Sequence, residues 1–320
     1  MAEPMPETKI LVSDGLSEEG VKLLQAVGEV TNNPKITPDE LLTLLPDYDA
    51  LIVRSRTKVT DSVLDAGKRL KVVGRAGVGV DNIDVAAAGR RGIIVVNSPL
   101  AATTAVAEHT LGLMLAMVRS IPAADASIKG GKWEKSAFIG SELSGKVLGL
   151  LGIGRIGAEV ARLARAFGMA VIAHDPYLSD ERIRQRQAEP GSMDEVLRRS
   201  DILSLHLPLS PEARNLIGRS QLSMMKSGAR FVCTARGGVV DEDALREALD
   251  SGALSGAALD VFADEPVKPG SIAAHPKVIA TPHISAQTKE AQARAGVAIA
   301  EEVVSVLQGR QPRWLVKDTD

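Results

Sequence analysis

Short apolar runs rich in β-branched residues alternate with helical patterns along the whole chain, and no other feature narrows the fold as far. In the first third the runs are Ile10–Ser13, Ala50–Val53, Leu70–Val73 and Ile93–Val96. Helix starts stand between them: Thr37-Pro38-Asp39-Glu40 is a capping box with proline in the first turn, and Thr60-Asp61 opens a similar turn. Pro99 ends this series, and a long helical pattern covers about Thr103 to Arg119. A second series follows at Lys146–Leu151, Ala170–Ala173, Ile202–Leu205, Ala229–Thr234, Ala257–Val261 and Val278–Ala280. Strands that alternate with crossover helices specify parallel sheets covered on both faces. The chain is therefore expected to be α/β, with two doubly wound parallel-sheet domains. A closing helix, roughly Thr288 to Gln308, is amphipathic and is assigned to the first domain, because six strands already complete the second sheet.

Composition removes several classes of function. The length of 320 residues suits about two domains. Lys+Arg 38 against Asp+Glu 40 leaves a net charge of −2, so no global positive field points to nucleic acid or an anionic membrane. Aromatic residues make up 2% of the chain, too few for base-stacking platforms. The longest apolar stretch, Ala105 to Val118, holds Glu108 and His109 and is too short to span a bilayer. The first residues lack the basic and apolar regions of a signal peptide, and Cys233 has no internal disulfide partner. A cytoplasmic protein without membrane or nucleic-acid partners is expected.

The segment from Lys146 to Gly157 reads as strand, tight glycine loop and helix. Gly152 permits the turn, Gly154 lets a pyrophosphate approach the backbone, and Gly157 lets the helix pack close to the strand. Phosphates would then meet the free N–H groups at the start of the helix that begins near Ile156. The next strand ends at Asp175, placed to accept hydrogen bonds from ribose hydroxyls and to repel a 2′-phosphate, which favours NAD over NADP. Residues 99–286 are thus read as a Rossmann NAD-binding domain inserted in a flavodoxin-like substrate domain made of residues 1–98 and 287–320.

Three strand ends of the second series carry unusual polar residues: Arg236, Glu265 and His283. In a parallel sheet such ends converge on one crevice. An Arg there can hold a 2-keto acid carboxylate, a His can pass a proton to the alkoxide, and a carboxylate can orient that His. No metal is needed. Glu265 before Pro266 also reads as a solvated loop acid, and His283 after Pro282 as a structural histidine. His109, His174, His206 and His275 read as structural, and Cys233 as a small buried hydrophobe. In the first domain, Arg54 and Arg75 follow adjacent strands, and Arg75 leads into the backbone nest Ala76-Gly77-Val78-Gly79. Arg54, Arg56 and Lys58 alternate and would put three cations on one side of an extended loop. Together these cations point to a substrate with more than one negative charge.

The sequence resembles the D-2-hydroxyacid dehydrogenase superfamily and, within it, the phosphoglycerate dehydrogenases, from about Lys9 to Gly309. The stretches that carry the likeness are Val72–Asp84, Leu150–Gly157, Thr234–Glu242, Gly256–Phe262 and Pro282–Ala286. The resemblance implies that Arg236, Glu265 and His283 are catalytic, with His283 the acid/base. It implies that Arg155, Ile156, Asp175, Thr234, Ala235, Arg236, Asp260, His283 and Ala286 line the NAD site. Arg54, Ser55, Arg75, Gly77 and Val78, with Arg236 and His283, would hold substrate. It further implies a homodimer through the nucleotide-binding domain, with a tetramer as an extension. The segment Gly130–Lys135 would lie against the partner, where Lys135 approaches the partner's active site. The sequence departs from the family at Ala102, Cys233 and Ser285. Ending at Asp320, it is expected to lack the C-terminal regulatory domains of longer relatives, and serine feedback through them. The expected reaction is NAD-dependent oxidation of 3-phosphoglycerate to 3-phosphohydroxypyruvate, the first step of serine synthesis. The alternative is reduction of glyoxylate or hydroxypyruvate. A non-enzymatic NADH-sensing co-repressor and an adenosylhomocysteinase-like hydrolase share this kind of cofactor domain but are less well matched.

Overall fold

The computed structural model describes residues 8–317. The chain divides into two units, Met1–Ala102 with Gln287–Asp320, and Thr103–Ala286. In the first, β1 (Lys9–Val12), β2 (Glu29–Asn32), β3 (Ala50–Val53), β4 (Val72–Arg75) and β5 (Ile94–Asn97) lie in the order β2-β1-β3-β4-β5. All pairings between them are parallel, which is the flavodoxin-like arrangement. The central β3 is buried at every position, as a strand covered on both faces must be. The edge strand β2 gives no sequence signal because three of its four residues, Glu29, Thr31 and Asn32, are polar and it is partly exposed. Polarity at an edge discourages pairing with other chains.

Local signals formed as the residue types demand. Thr37 Oγ1 accepts from the N–H of Glu40 at 3.3 Å, while a Glu40 carboxylate oxygen accepts from the N–H of Thr37 at 2.8 Å. The closing helix, Lys289–Leu307, is capped by Thr288, whose hydroxyl accepts from Ala291 N at 3.0 Å. It packs on β4 and β5. Its approach is close because Gly74 has no side chain: a Cβ there would come 2.7 Å from Val303 Cγ2 and 3.0 Å from Ile299 Cγ1. Beyond the helix the chain returns to β5, where Val316 N donates to Val95 O at 2.9 Å. This return is pinned by the buried Glu302, which accepts from Arg313 Nε at 2.9 Å and Trp314 N at 3.0 Å.

The second unit holds β6 (Val147–Leu151), β7 (Ala170–His174), β8 (Glu189–Pro190), β9 (Ile202–Leu205), β10 (Ala229–Cys233), β11 (Leu254–Leu259) and β12 (Val278–Ala280). Their order is β12-β11-β10-β9-β6-β7-β8, the Rossmann order with one strand added beyond the sixth. The sheet has seven strands among the described residues, one more than the pattern predicted. The unpredicted β8 is two residues long and contains Pro190, which a sheet tolerates only at an edge. The helix Thr103–Val118 is apolar around most of its circumference and lies in the core of this unit. Among the described residues no single helix is long and apolar enough to cross a membrane.

Gly74→Ala would force a methyl group against Val303 and Ile299. It is expected to cost about 1–3 kcal/mol of stability in urea unfolding followed by circular dichroism.

Candidate active site

The strand order of the second unit reverses between β6 and β9, so the loops leaving these strands part and open a crevice. The β6 loop contains the glycines. Gly152 adopts φ +84, and a Cβ there would lie 2.5 Å from His206 O in the β9 loop. A Cβ at Gly157 would lie 2.4 Å from Gly152 O, so the helix Arg155–Ala166 can start only if this position is bare. Gly154 faces open space, with nothing within 4 Å of a Cβ built on it. No side chain caps the helix start at Gly154, and the positive end of the helix dipole lies there. Asp175, at the end of β7, accepts from Ile153 N at 3.0 Å and Tyr177 N at 3.1 Å. These bonds fix a partly exposed carboxylate beside the glycine turn and leave lone pairs for ribose hydroxyls. Cradle, uncapped helix start and carboxylate together fit a dinucleotide. His206 sits behind the turn with Nε2 2.9 Å from Ser204 Oγ, and burial pulls its imidazole down to about 4. It is neutral at pH 7 and adds no charge behind the glycine turn.

Arg236, Glu265 and His283 leave three neighbouring parallel strands, β10, β11 and β12, at their carboxyl ends. The loops touch: a Cβ at Gly237 would fall 1.7 Å from Phe262 O. Arg236 is half-buried, and its Nη1 donates to Ala235 O at 2.7 Å. Glu265 faces His283, with Oε2 2.8 Å from Nδ1, while its Oε1 accepts from Phe262 N at 3.0 Å. Burial alone would push the Glu265 carboxyl up, but the hydrogen bonds from His283 and the Phe262 N–H outweigh it and hold the group below the usual carboxylate range. A carboxylate at this distance requires the proton on Nδ1, which leaves Nε2 outside this pairing.

The turn that presents His283 is built around Asp260. This side chain is completely buried. It accepts from Thr281 Oγ1 at 2.6 Å, Ile284 N at 2.9 Å and Ser285 N at 2.9 Å, and His109 Nε2 lies 3.5 Å away. Burial opposes its charge, yet the hydrogen bonds from His109, Thr281, Ile284 and Ser285 prevail and hold it at about 2. His283 itself has φ 53, a left-handed conformation that costs a residue with a Cβ about 1 kcal/mol or more. The Asp260 carboxylate has no exposed surface and shapes the 281–285 turn; its place on the cofactor site is what the resemblance implies.

Thr234 and Ala235 are buried at the end of β10, with Thr234 Oγ1 2.9 Å from Thr110 Oγ1, and Ala286 directly follows the turn. The Cys233 thiol is pushed up to about 11 by burial, which removes it as a nucleophile. Among the described residues no three His, Cys, Asp or Glu side chains cluster as metal ligands.

In the first unit the loop after β3 is organised by Asp14, which sequence reasoning missed. Its carboxylate accepts from Arg54 N at 2.7 Å, Thr57 N at 3.1 Å and Thr57 Oγ1 at 2.6 Å. Arg56 also turns inward, donating to Asp14 at 3.1 Å and to the carbonyls of Ile36 and Ser13. The expected row of three cations is therefore broken, because the loop curls around Asp14 rather than running extended. Arg54 keeps its guanidinium outward, with Nη2 3.2 Å from Gln287 Oε1, and Ser55 is exposed. Arg75 is the last residue of β4, and its guanidinium covers Gly77, where a Cβ would fall 1.4 Å from Nη1. Asn97 Nδ2 donates to Val78 O at 2.7 Å and fixes the nest. Ala102, one of the departures from the family, is buried.

The second unit is, by strand order, glycine turn and acidic strand end, a dinucleotide-binding domain of the doubly wound class. Residues 111–285 match the family described as D-isomer specific 2-hydroxyacid dehydrogenase, NAD binding domain, and the chain belongs to that family. It is 50% identical to the D-3-phosphoglycerate dehydrogenase of Methanocaldococcus jannaschii over 94% of its own length and 58% of the relative's. It thus spans little more than half of that relative. Among solved structures it is similar to the TT0316 protein of Thermus thermophilus, with a TM-score of 0.87 and 37% identity over 97% of this chain and 100% of that one. A glyoxylate reductase from Paecilomyes thermophila superposes with a TM-score of 0.88 and 30% identity over 99% and 100% of the two chains.

Asp260→Asn removes the buried charge. Because the folded carboxyl lies at about 2, below its unfolded value, its contribution is present above pH 4 and lost as pH falls from about 4 toward about 2. The variant is expected to lose about 2 kcal/mol at pH 7 in urea unfolding, with the gap to wild type narrowing below pH 4.

Proposed function

We propose that this chain carries out NAD-dependent interconversion of 3-phosphoglycerate and 3-phosphohydroxypyruvate. The observation that carries the chemistry is the 2.8 Å pairing of His283 Nδ1 with Glu265, beside the Arg236 loop. The name of the M. jannaschii relative supports the substrate. The glycine turn Gly152–Gly157, with Asp175, would hold the cofactor, which supplies or accepts the hydride when bound. Arg155, Ile156, Thr234, Ala235 and Ala286 would complete that site. With Glu265 holding Nδ1–H, neutral His283 presents a free Nε2 lone pair that takes the proton from the C2 hydroxyl. In the reductive direction the same atom, protonated, returns it to the forming alkoxide. Arg236 would hold the substrate carboxylate and polarise the ketone. The first unit is read as the substrate-binding domain, with Arg54, Ser55, Arg75 and the backbone of Gly77 and Val78 receiving the phosphorylated end.

The partner reading is a homodimer through the nucleotide-binding unit, pairing further into a tetramer as an extension. It is supported by apolar side chains at Trp133 and Ile139 that are 85% and 88% exposed, and by Ile121 and Ile128, which are exposed as well. Lys135 lies in this segment, where it would approach the partner's active site. A cytoplasmic location accords with a single, buried cysteine.

NADH oxidation measured with 3-phosphohydroxypyruvate, hydroxypyruvate and glyoxylate is expected to give the highest kcat/KM for the phosphorylated ketone. A preference for glyoxylate would overturn the substrate assignment and keep the chemistry. Arg54→Ala should weaken the phosphorylated substrate by about 1.5–3 kcal/mol, as the loss of a charged hydrogen bond does, and leave glyoxylate almost unchanged. In analytical ultracentrifugation, Trp133→Ser combined with Ile139→Ser should move the protein from dimer toward monomer.

A further inference from the structure

One helix reaches the ends of all three strands that carry Arg236, Glu265 and His283, through two consecutive polar residues. Thr103–Val118 packs across β10, β11 and β12 with an almost wholly apolar surface. His109 and Thr110 are polar breaks in that surface, and both point at strand ends. Thr110 is fully buried. Its hydroxyl donates to Val106 O at 2.7 Å, so at the 2.9 Å contact with Thr234 the Thr234 hydroxyl is the donor. Thr234 stands two residues before Arg236 in the sequence.

His109 makes the matching contact on the other side. Thr281 Oγ1 spends its one proton on Asp260 at 2.6 Å. At the 3.2 Å contact between His109 Nε2 and Thr281 Oγ1 the imidazole must therefore donate. The same Nε2 lies 3.5 Å from Asp260, so its N–H is shared by the hydroxyl and the buried carboxylate. Asp260 in turn holds Ile284 N and Ser285 N, and its own carbonyl accepts from His283 N at 2.9 Å. His109 thus completes the hydrogen bonding around the charge that keeps His283 in its left-handed conformation.

We propose that His109 and Thr110 are positioning residues for this reaction. From one helix they lock the end of β10 to the ends of β11 and β12, and so fix Arg236 against the Glu265–His283 pair. The inference rests on the reading of these three as the reactive set. Hydrogen-bonding side chains are not needed to fold a helix this apolar, because its other inward residues pack without them. What the two polar groups add is direction, since a hydrogen bond fixes orientation where an apolar contact does not.

The test compares His109→Leu, His109→Gln, Thr110→Val and Thr110→Ser in the full chain. His109→Leu is expected to lower kcat with 3-phosphohydroxypyruvate about tenfold, equivalent to about 1.4 kcal/mol in the barrier, with KM for NADH changed less than about twofold. His109→Gln, whose amide N–H can still donate, should recover most of the loss, and Thr110→Ser should recover what Thr110→Val loses. A readout free of turnover accompanies these: the ring signals of His283 in NMR spectra of the protein without cofactor, assigned from their loss in His283→Asn. They should move in His109→Leu and return in His109→Gln. Full kcat in His109→Leu, a loss that Gln does not recover, or unmoved His283 signals would each overturn the proposal. If wild type turns over no 2-keto acid, the functional reading fails, and the His283 signals alone then decide whether His109 sets the turn.

Discussion

A charge placed where water cannot reach it must be met by donors on every side, and Asp260 shows how much structure that requirement can impose. Its carboxylate draws together a threonine hydroxyl, two backbone N–H groups and an imidazole. The segment 281–285 can satisfy that carboxylate only by turning tightly, and the turn pushes His283 into a conformation its own residue type disfavours. The cost is local, and the gain is a histidine with its Nδ1 against Glu265 and its Nε2 outward. If the carboxylate were exposed to water, the donors would have an alternative and the turn would relax.

The glycine turn works by the opposite means. Around Asp260 polar groups are packed against one another, whereas around Gly152, Gly154 and Gly157 side chains are withheld so that backbone can meet backbone or a ligand. Asp175 joins the two styles: its carboxylate is anchored to Ile153 N and Tyr177 N and remains partly exposed. The same residue type therefore shapes a turn at one strand end and stays open to solvent at another. Burial decides which.

Most of the architecture was legible because it is encoded locally. The Thr37–Glu40 capping box, the uniformly apolar β3 and the strand–glycine–helix sequence after Lys146 each lie within a few residues of one another, and each formed. The edge strands β2 and β8 did not announce themselves, since an edge needs no apolar run and β8 is only a pair of residues. Arg236, Glu265 and His283 stood out as polar residues at the ends of apolar strands. Asp14 and His109 did not, because their partners are remote: His109 meets Thr281, 172 positions away. A histidine within an apolar helix looks structural until its neighbour across the fold is known. The alternation of Arg54, Arg56 and Lys58 misled for a related reason, since an extended loop was assumed where Asp14 curls it.

The first unit is assembled from both ends of the chain, and this has a consequence for how the protein is made. Thr103–Ala286 is continuous and contains every strand of its own sheet, so it can complete its core as soon as it has left the ribosome. The earlier segment cannot. Its β4 face stays open until Ile299 and Val303 arrive, and the edge at β5 until Val316 does. The sheet synthesised first is thus the one completed last, and for that interval it carries an uncovered apolar face, the kind of surface that chaperones bind.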